Sequence, residues 1–426
     1  MEKTDTALIV GLDIGTTKVC AVVGEVDTDG QVKIVGIGDS ESKGLRKGMV
    51  VNIEDTVKSI QQAVTTAGQM AGCDIRSVYV GIAGSHIMGI NSHGVIAIQG
   101  NEVTTHDVDR VLDAARAVAI PSDREVIHTL PQEYIVDNQR GIVDPIGMAG
   151  VRLEVNVHIV TAAVSSAQNI VRSCNRAGLD VADIALESLA SAKAVLTDEE
   201  REIGVALVDI GGGTSDIAIF ENNAIKHTAV VPLGGSMLTS DIAFGLRTPN
   251  KSAEKIKVKY GCVLRDLVQS DEALEVPSGG GRPPQKLRRQ VLADICEPRM
   301  EEILNYVNKT IVASGCKDRI RAGVVLTGGA SLIEGCQQLA EQVFDIPCRI
   351  GYPRNIGGLT DVVDNPKFAT AVGLLRYGAE QELRRGFTMI ERPTLSTESE
   401  EEQPSGEGSL FSRLLTRMKR WFMDIT

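Results

Sequence analysis

The chain has 426 residues, 43% of them hydrophobic and 23% charged, with a net charge of −12. That length exceeds one hydrophobic core, so two or more subdomains are expected, and the acidic balance argues against a general nucleic-acid binder. Residues 1–6 are polar, with no signal-peptide core, and no run approaches the roughly 18 apolar residues of a bilayer span, so the chain reads as cytosolic unless something else anchors it.

Strands are predicted at 7–12, 19–26, 32–38 and 77–83, with a helix near 54–72 that Asn52 can cap. Residues 85–162 carry strands near 86–98, 124–137 and 151–162 and a helix near 104–118, which reads as an inserted α+β subdomain. A helix at 165–177 and an apolar stretch at 181–196 lead into a hairpin at 203–220. A glycine turn, Leu233-Gly234-Gly235-Ser236, then opens a second inserted block with helices near 236–245 and 251–260. Its loop at 277–284 is flexible by composition and reads as a surface turn. A long helix near 291–314 returns to the main fold. The strand Val324-Val325-Leu326 then runs into Thr327-Gly328-Gly329-Ala330-Ser331 and a further helix, and a last core helix covers 369–377. Eight scattered cysteines, without a CxxC, read as buried thiols of a reducing compartment.

Two copies of one short signature carry the chemistry. The first is Gly11-Leu12-Asp13-Ile14-Gly15-Thr16-Thr17-Lys18, the second Val208-Asp209-Ile210-Gly211-Gly212-Gly213-Thr214-Ser215-Asp216. A P-loop or dinucleotide fingerprint is followed by a helix. Here strand-like runs follow the glycines, so both loops read as hairpin tips. Glycines let a backbone approach a phosphate, and hydroxyl and N–H groups donate to its oxygens. The leading aspartates suit a magnesium ion held through water. One copy alone is also ordinary turn chemistry; two in matching strand–loop–strand contexts point to phosphate binding.

The C-terminus changes character twice. Residues 391–408 hold six acids against Arg392, with Ser, Thr and Pro, and read as a disordered linker. Residues 409–426 then combine a stripe of Leu410, Phe411, Leu414, Leu415, Met418, Trp421 and Phe422 with Arg413, Arg417, Lys419 and Arg420 on the other side. The readings are an interfacial membrane helix, which suits anionic lipid, or a helix docked on the protein's own core or on a partner. The acidic tether favours the membrane.

These residues resemble the actin, Hsp70 and sugar-kinase superfamily, and within it the FtsA family of membrane-tethered bacterial actin homologues. Residues 13–18 and 209–216 match its two phosphate motifs and Leu326–Ser331 its adenosine motif. Glu187–Ala192 and Ala369–Gly373 match the two connecting helices, and Ala253–Lys257 the segment whose Glu and Lys meet ribose and adenine. The resemblance implies an α/β actin-like ATPase fold of two duplicated RNase H-like core domains. Residues 1–84 with 163–200 form the first core and 201–244 with 303–390 the second. Residues 85–162 form the inserted subdomain of this family, and 245–302 a nucleotide roof that also binds partners.

The implied cofactors are ATP and Mg2+. Gly15, Thr16, Thr17, Lys18, Gly211, Gly212, Gly213, Thr214 and Ser215 would meet phosphate, Asp13 and Asp209 the metal's waters, and Gly328, Gly329, Ala330, Glu254 and Lys257 the nucleoside. Lys18 also reads as a strand-edge lysine, Glu254 with Lys257 as an exposed helix pair, and Glu187 as either the residue positioning the attacking water or a structural acid. The implied function is an ATP-binding, self-assembling protein that tethers FtsZ to the cytoplasmic face of the inner membrane at the division site. It would contact FtsZ near Arg299 and Glu302, help recruit later division proteins, and hydrolyse ATP slowly if at all. A small-molecule kinase or an actin-like scaffold of a pilus machine are the alternatives.

Overall fold

The computed structural model describes residues 7–277 and 283–384. Two sheets built to one plan form its centre. The first runs in the spatial order Asp180–Leu186, Ser77–Ile82, Ala7–Ile14, Lys18–Val26, Val32–Glu41, with Gly357–Gly358 at the edge. The second runs Cys348–Ile350, Val324–Thr327, Val205–Ile210, Ser215–Glu221, Ala224–Val231. In each, the first three strands in chain order are an antiparallel meander. The next two join in parallel on the far side of the first, and Gly357–Gly358 pairs in parallel with Val32–Glu41 at the other edge of the first sheet. The central strand of the second sheet, Val205–Ile210, is buried at every residue, as a strand covered on both faces must be, and reads as an apolar run broken only by Asp209.

Two helices, Glu187–Val195 and Ala369–Arg384, follow the last strand of each repeat and cross between the sheets. Their apolar residues, with inner faces of both sheets, form one continuous core. The crossing is close enough to need a glycine: a methyl group on Gly373 would lie 1.8 Å from the Ala190 carbonyl oxygen. Separate cores lie within each half.

The segment after Ser77–Ile82 leaves the first half and builds a four-stranded antiparallel sheet in the order Met88–Ala97, Arg152–Ala163, Arg124–Val136, Gln139–Ile142. Helix Thr105–Arg116, opened by a Thr104–Asp107 capping box, covers one face and seals its own core around Val111, Leu153, Val155 and Val157. This sheet also touches the second half. His158 Nε2 lies 2.8 Å from Thr228 Oγ1, and Gln132 donates to the Ile225 carbonyl at 2.8 Å.

The block after helix Gly235–Gly245 holds helix Asn250–Tyr260, a hairpin of Ala273–Val276 with Gln285–Arg288, and helix Arg289–Ala313. The hairpin has no counterpart in the sequence reading; only Leu274 and Val276 alternate inward, too short a pattern to register as a strand. The inner residues of the 277–284 loop, the acidic 391–408 segment and the amphipathic 409–426 segment all lie outside the described residues.

Candidate functional site

Both signatures fold as the hairpin tips their flanks predict, and they close alike. Gly15 N–H donates to the Lys18 carbonyl at 3.0 Å and Gly211 N–H to the Thr214 carbonyl at 2.9 Å. Asp13 and Asp209 therefore occupy equivalent places, each paired across its hairpin, with Cys20 and with Asp216. The tips face each other. A methyl on Gly212 would lie 2.4 Å from Thr17 Cγ2 and one on Gly213 2.5 Å from Thr16 Oγ1, so the second tip presents bare backbone to the first.

Behind the tips opens a cleft of about 1240 Å³, larger than an ordinary small-ligand pocket. Its floor carries Asp13, Glu187, Asp209 and Asp216. Its far end is lined by Gly235, Glu254, Lys257, Gly328, Gly329 and Ala330. The glycine turn at 233–236 joins these two ends: Gly235 N–H donates to the Gly211 carbonyl at 2.9 Å, and a Cβ on Gly235 would lie 3.1 Å from that of Ala330.

Burial raises the proton affinity of all four carboxyl groups in this floor, and neighbouring acids raise it further at Asp209, Asp216 and Glu187. Burial, then Asp209 and other neighbours, pushes Asp216 up to about 7. Burial pushes Asp209 up to about 6 against the opposing bond from Ser191. Burial and the three aspartates raise Glu187 well above the usual range, and burial raises Asp13 despite Lys18 nearby. Asp216 accepts from Thr214 Oγ1 at 2.9 Å on one oxygen, while the other is buried without a partner.

The remaining sequence-derived residues divide. Thr17 stands open in the cleft, and Thr16 Oγ1 accepts from Gly48 N–H at 3.0 Å while keeping its own hydrogen. Lys18 is turned inward, 3.4 Å from Asp13 and donating to the Lys367 carbonyl at 2.7 Å, rather than out to solvent. Ser215 does not line the cleft. It begins the returning strand, is fully buried, and its hydroxyl donates to the Leu233 carbonyl at 2.9 Å. Lys257 is buried and donates to Gly235, Thr239 and Glu254 at 3.1, 2.9 and 2.8 Å, so the pair with Glu254 braces the cleft's far end instead of lying free on a helix. Arg299 is held by Asp241 at 2.5 Å and by Glu302. The sequence reading missed Asp216 as a floor acid, along with Ser191, Thr370, Gly235 and Lys367. Ser191 and Thr370 sit inside the two connecting-helix motifs, where hydroxyls among small apolar residues were the available signal.

The family model described as cell division protein FtsA matches residues 206–373, and one described as an SHS2 domain inserted in FtsA matches residues 84–161. The chain is 53% identical to the cell division protein FtsA of Pseudomonas aeruginosa, covering 97% of both chains. It is 47% identical to that of Escherichia coli strain K12, over 94% of this chain and 97% of the relative. Among solved structures it is similar to a PilM–PilN type IV pilus biogenesis complex (TM-score 0.63, 15% identity, 87% of this chain and 98% of that one). It is also similar to MreB5 of Spiroplasma citri bound to ADP (TM-score 0.52, 14% identity, 87% and 95%). At those identities the structural likeness is one of fold, and the fold is that of the actin-like ATPases. Near-complete coverage at about half identity, with the inserted subdomain matched in place, is decisive: the chain belongs to the FtsA family of bacterial cell-division proteins.

Proposed function

We propose that the protein is an ATP-binding, self-assembling division protein that holds FtsZ polymers to the cytoplasmic face of the inner membrane at the division site. The observation that carries the nucleotide part is the facing pair of matched hairpin tips over a floor of carboxylates. Tip backbone with Thr16 and Thr17 receives the β- and γ-phosphates, and the turn at Gly328–Ala330 receives the nucleoside against Glu254 and Lys257.

The floor also fits Mg2+. It holds an unpartnered buried carboxylate oxygen and mutually repelling acids that a divalent cation would relieve. Among the described residues no three ligating side chains are grouped around one point, which suits an ion carried on phosphate and water with Asp13 and Asp209 behind the waters. The ion when bound neutralises phosphate charge. Glu187, at the first turn of its helix and part of that floor, is placed to orient a water, with hydrolysis slow and regulatory.

The division role rests on family membership. Residues 245–302 serve as the FtsZ-facing block. There, Arg299 and Glu302 would have to exchange their internal ion pairs for the partner. Residues 85–162 contact neighbouring protomers or later division proteins, and 409–426 bind anionic lipid. The relatives at 47–53% identity are cell division proteins, which favours this reading over a small-molecule kinase or a pilus scaffold.

Asp209→Ala tests the site. It is expected to lower affinity for a fluorescent ATP analogue in Mg2+ by at least about tenfold and to abolish ATP-dependent assembly in light scattering. Wild-type affinity and filaments in that variant would refute the assignment.

A further inference from the structure

Asp209 is held from outside its own hairpin. Ser191 Oγ donates to Asp209 Oδ2 at 2.6 Å, and Thr370 Oγ1 reaches the same oxygen at 3.2 Å and Ser191 Oγ at 3.0 Å. Each hydroxyl has one hydrogen. Thr370 therefore donates either beside Ser191 or into it, and the second arrangement strengthens the shorter bond. All three side chains are buried, with exposures of 0% for Ser191 and 8% for Thr370 and Asp209. Asp209 Oδ1, by contrast, points toward Gly328, where a Cβ would lie 2.3 Å from it. One carboxylate oxygen is thus fixed and the other faces the cleft.

The origin of the two hydroxyls gives this arrangement its meaning. Ser191 belongs to helix Glu187–Val195 and Thr370 to helix Ala369–Arg384, the two helices that cross between the halves. Their backbones touch where Gly373 meets Ala190, one residue before Ser191 and three after Thr370. Ser191 also lies one helical turn after Glu187, so both face the same side of their helix. Ser191 and Thr370 thus meet beside the crossing, and their separation is set by how the two helices cross.

Building on the proposed ATP and Mg2+ site, we infer that Ser191 and Thr370 are positioning residues that aim Asp209 at the metal's water shell, and do so only when the crossing helices are at the closing angle. Hydroxyls from both helices, Ser191 donating to Asp209 Oδ2 and Thr370 to it or to Ser191, hold that oxygen from outside its own hairpin. Metal affinity therefore depends on the angle between the halves, and by reciprocity bound metal holds that angle.

The test is a Mg2+ titration of fluorescent ATP analogue binding by the full chain, with a parallel measurement in EDTA. It compares wild type, Ser191→Ala, Thr370→Val and Thr370→Ser, with thermal unfolding as a check on folding. Ser191→Ala and Thr370→Val are expected to raise the half-saturating Mg2+ concentration about tenfold, with a much smaller change of affinity in EDTA. Thr370→Ser is expected to restore the wild-type titration. A Mg2+ response unchanged in both hydroxyl-deleted variants overturns the inference while leaving the site intact. A parallel fall in EDTA, or failure of Thr370→Ser to rescue, also overturns it, since either marks a packing role. Wild-type binding that does not respond to Mg2+ overturns the metal reading of the cleft, and this inference with it.

Discussion

Asp216 shows how burial and the neighbours on its own hairpin constrain a single side chain. It pairs across its hairpin with Asp209, accepts one hydroxyl from Thr214 and leaves its other oxygen buried and unmet. Its folded proton affinity, about 7, exceeds the unfolded carboxylate value of 3.8. The folded state thus binds more protons than the unfolded one between those values, so this group's contribution to stability falls as pH rises through that window. Without nucleotide, Asp216→Asn is expected to match wild type in Tm near pH 4.5 and to exceed it by several degrees at pH 8. A Tm difference that stays constant across that range would remove the buried-charge account. The aspartates and threonines of the two tips were legible because identical chemistry recurred in identical strand contexts. Ser215 was misleading for a simple reason: it follows Thr214 directly, but successive strand residues face opposite sides, and its side takes it into the turn at Leu233.

The elements were legible where their period was long. The first meander, helix Ile53–Ala71 with its Asn52 cap, and the hairpin flanks all stand close to their predicted bounds, whereas strand Ala224–Val231, which completes the second meander, had no predicted counterpart. The short hairpin at 273–288 was not, because four residues of alternation carry too little signal and its pairing is set by the helices around it. No local pattern could say that helices Glu187–Val195 and Ala369–Arg384, with 173 residues between them, would cross in contact. Their small residues could only hint at close packing. That crossing is where the fold is least tolerant. Gly373→Val would drive its methyls into the Ala190 backbone, and overpacking of this kind costs about 1–3 kcal/mol or more. We expect a lower Tm together with impaired ATP-dependent assembly. A stable, fully assembling Gly373→Val protein would show that the helices separate freely and that the crossing is no fulcrum.

Taken together, the two repeats form a pair of jaws: one cleft, one crossing point, and an inserted sheet that reaches from the first half to Thr228 and Ile225 of the second. On the proposed function, nucleotide in the cleft would favour one angle between the halves, and that angle would set which surfaces meet in a filament. Among the described residues no helix is long and apolar enough to cross a membrane; the attachment proposed above is through the amphipathic 409–426 segment. A single interfacial helix of that length binds reversibly, whereas an assembled row of them binds firmly. Liposome co-sedimentation should therefore be lost in a chain ending at Gly408 and weakened by Trp421→Glu; equal sedimentation of the truncated protein would contradict the anchor. The decisive experiment lies at the jaws themselves: a crystal structure of the protein with Mg2+ and a non-hydrolysable ATP analogue. We predict the γ-phosphate between Thr16–Thr17 and Gly212–Gly213, with Asp13 and Asp209 on metal-bound water. A nucleotide bound elsewhere, with the two tips empty, would contradict the account.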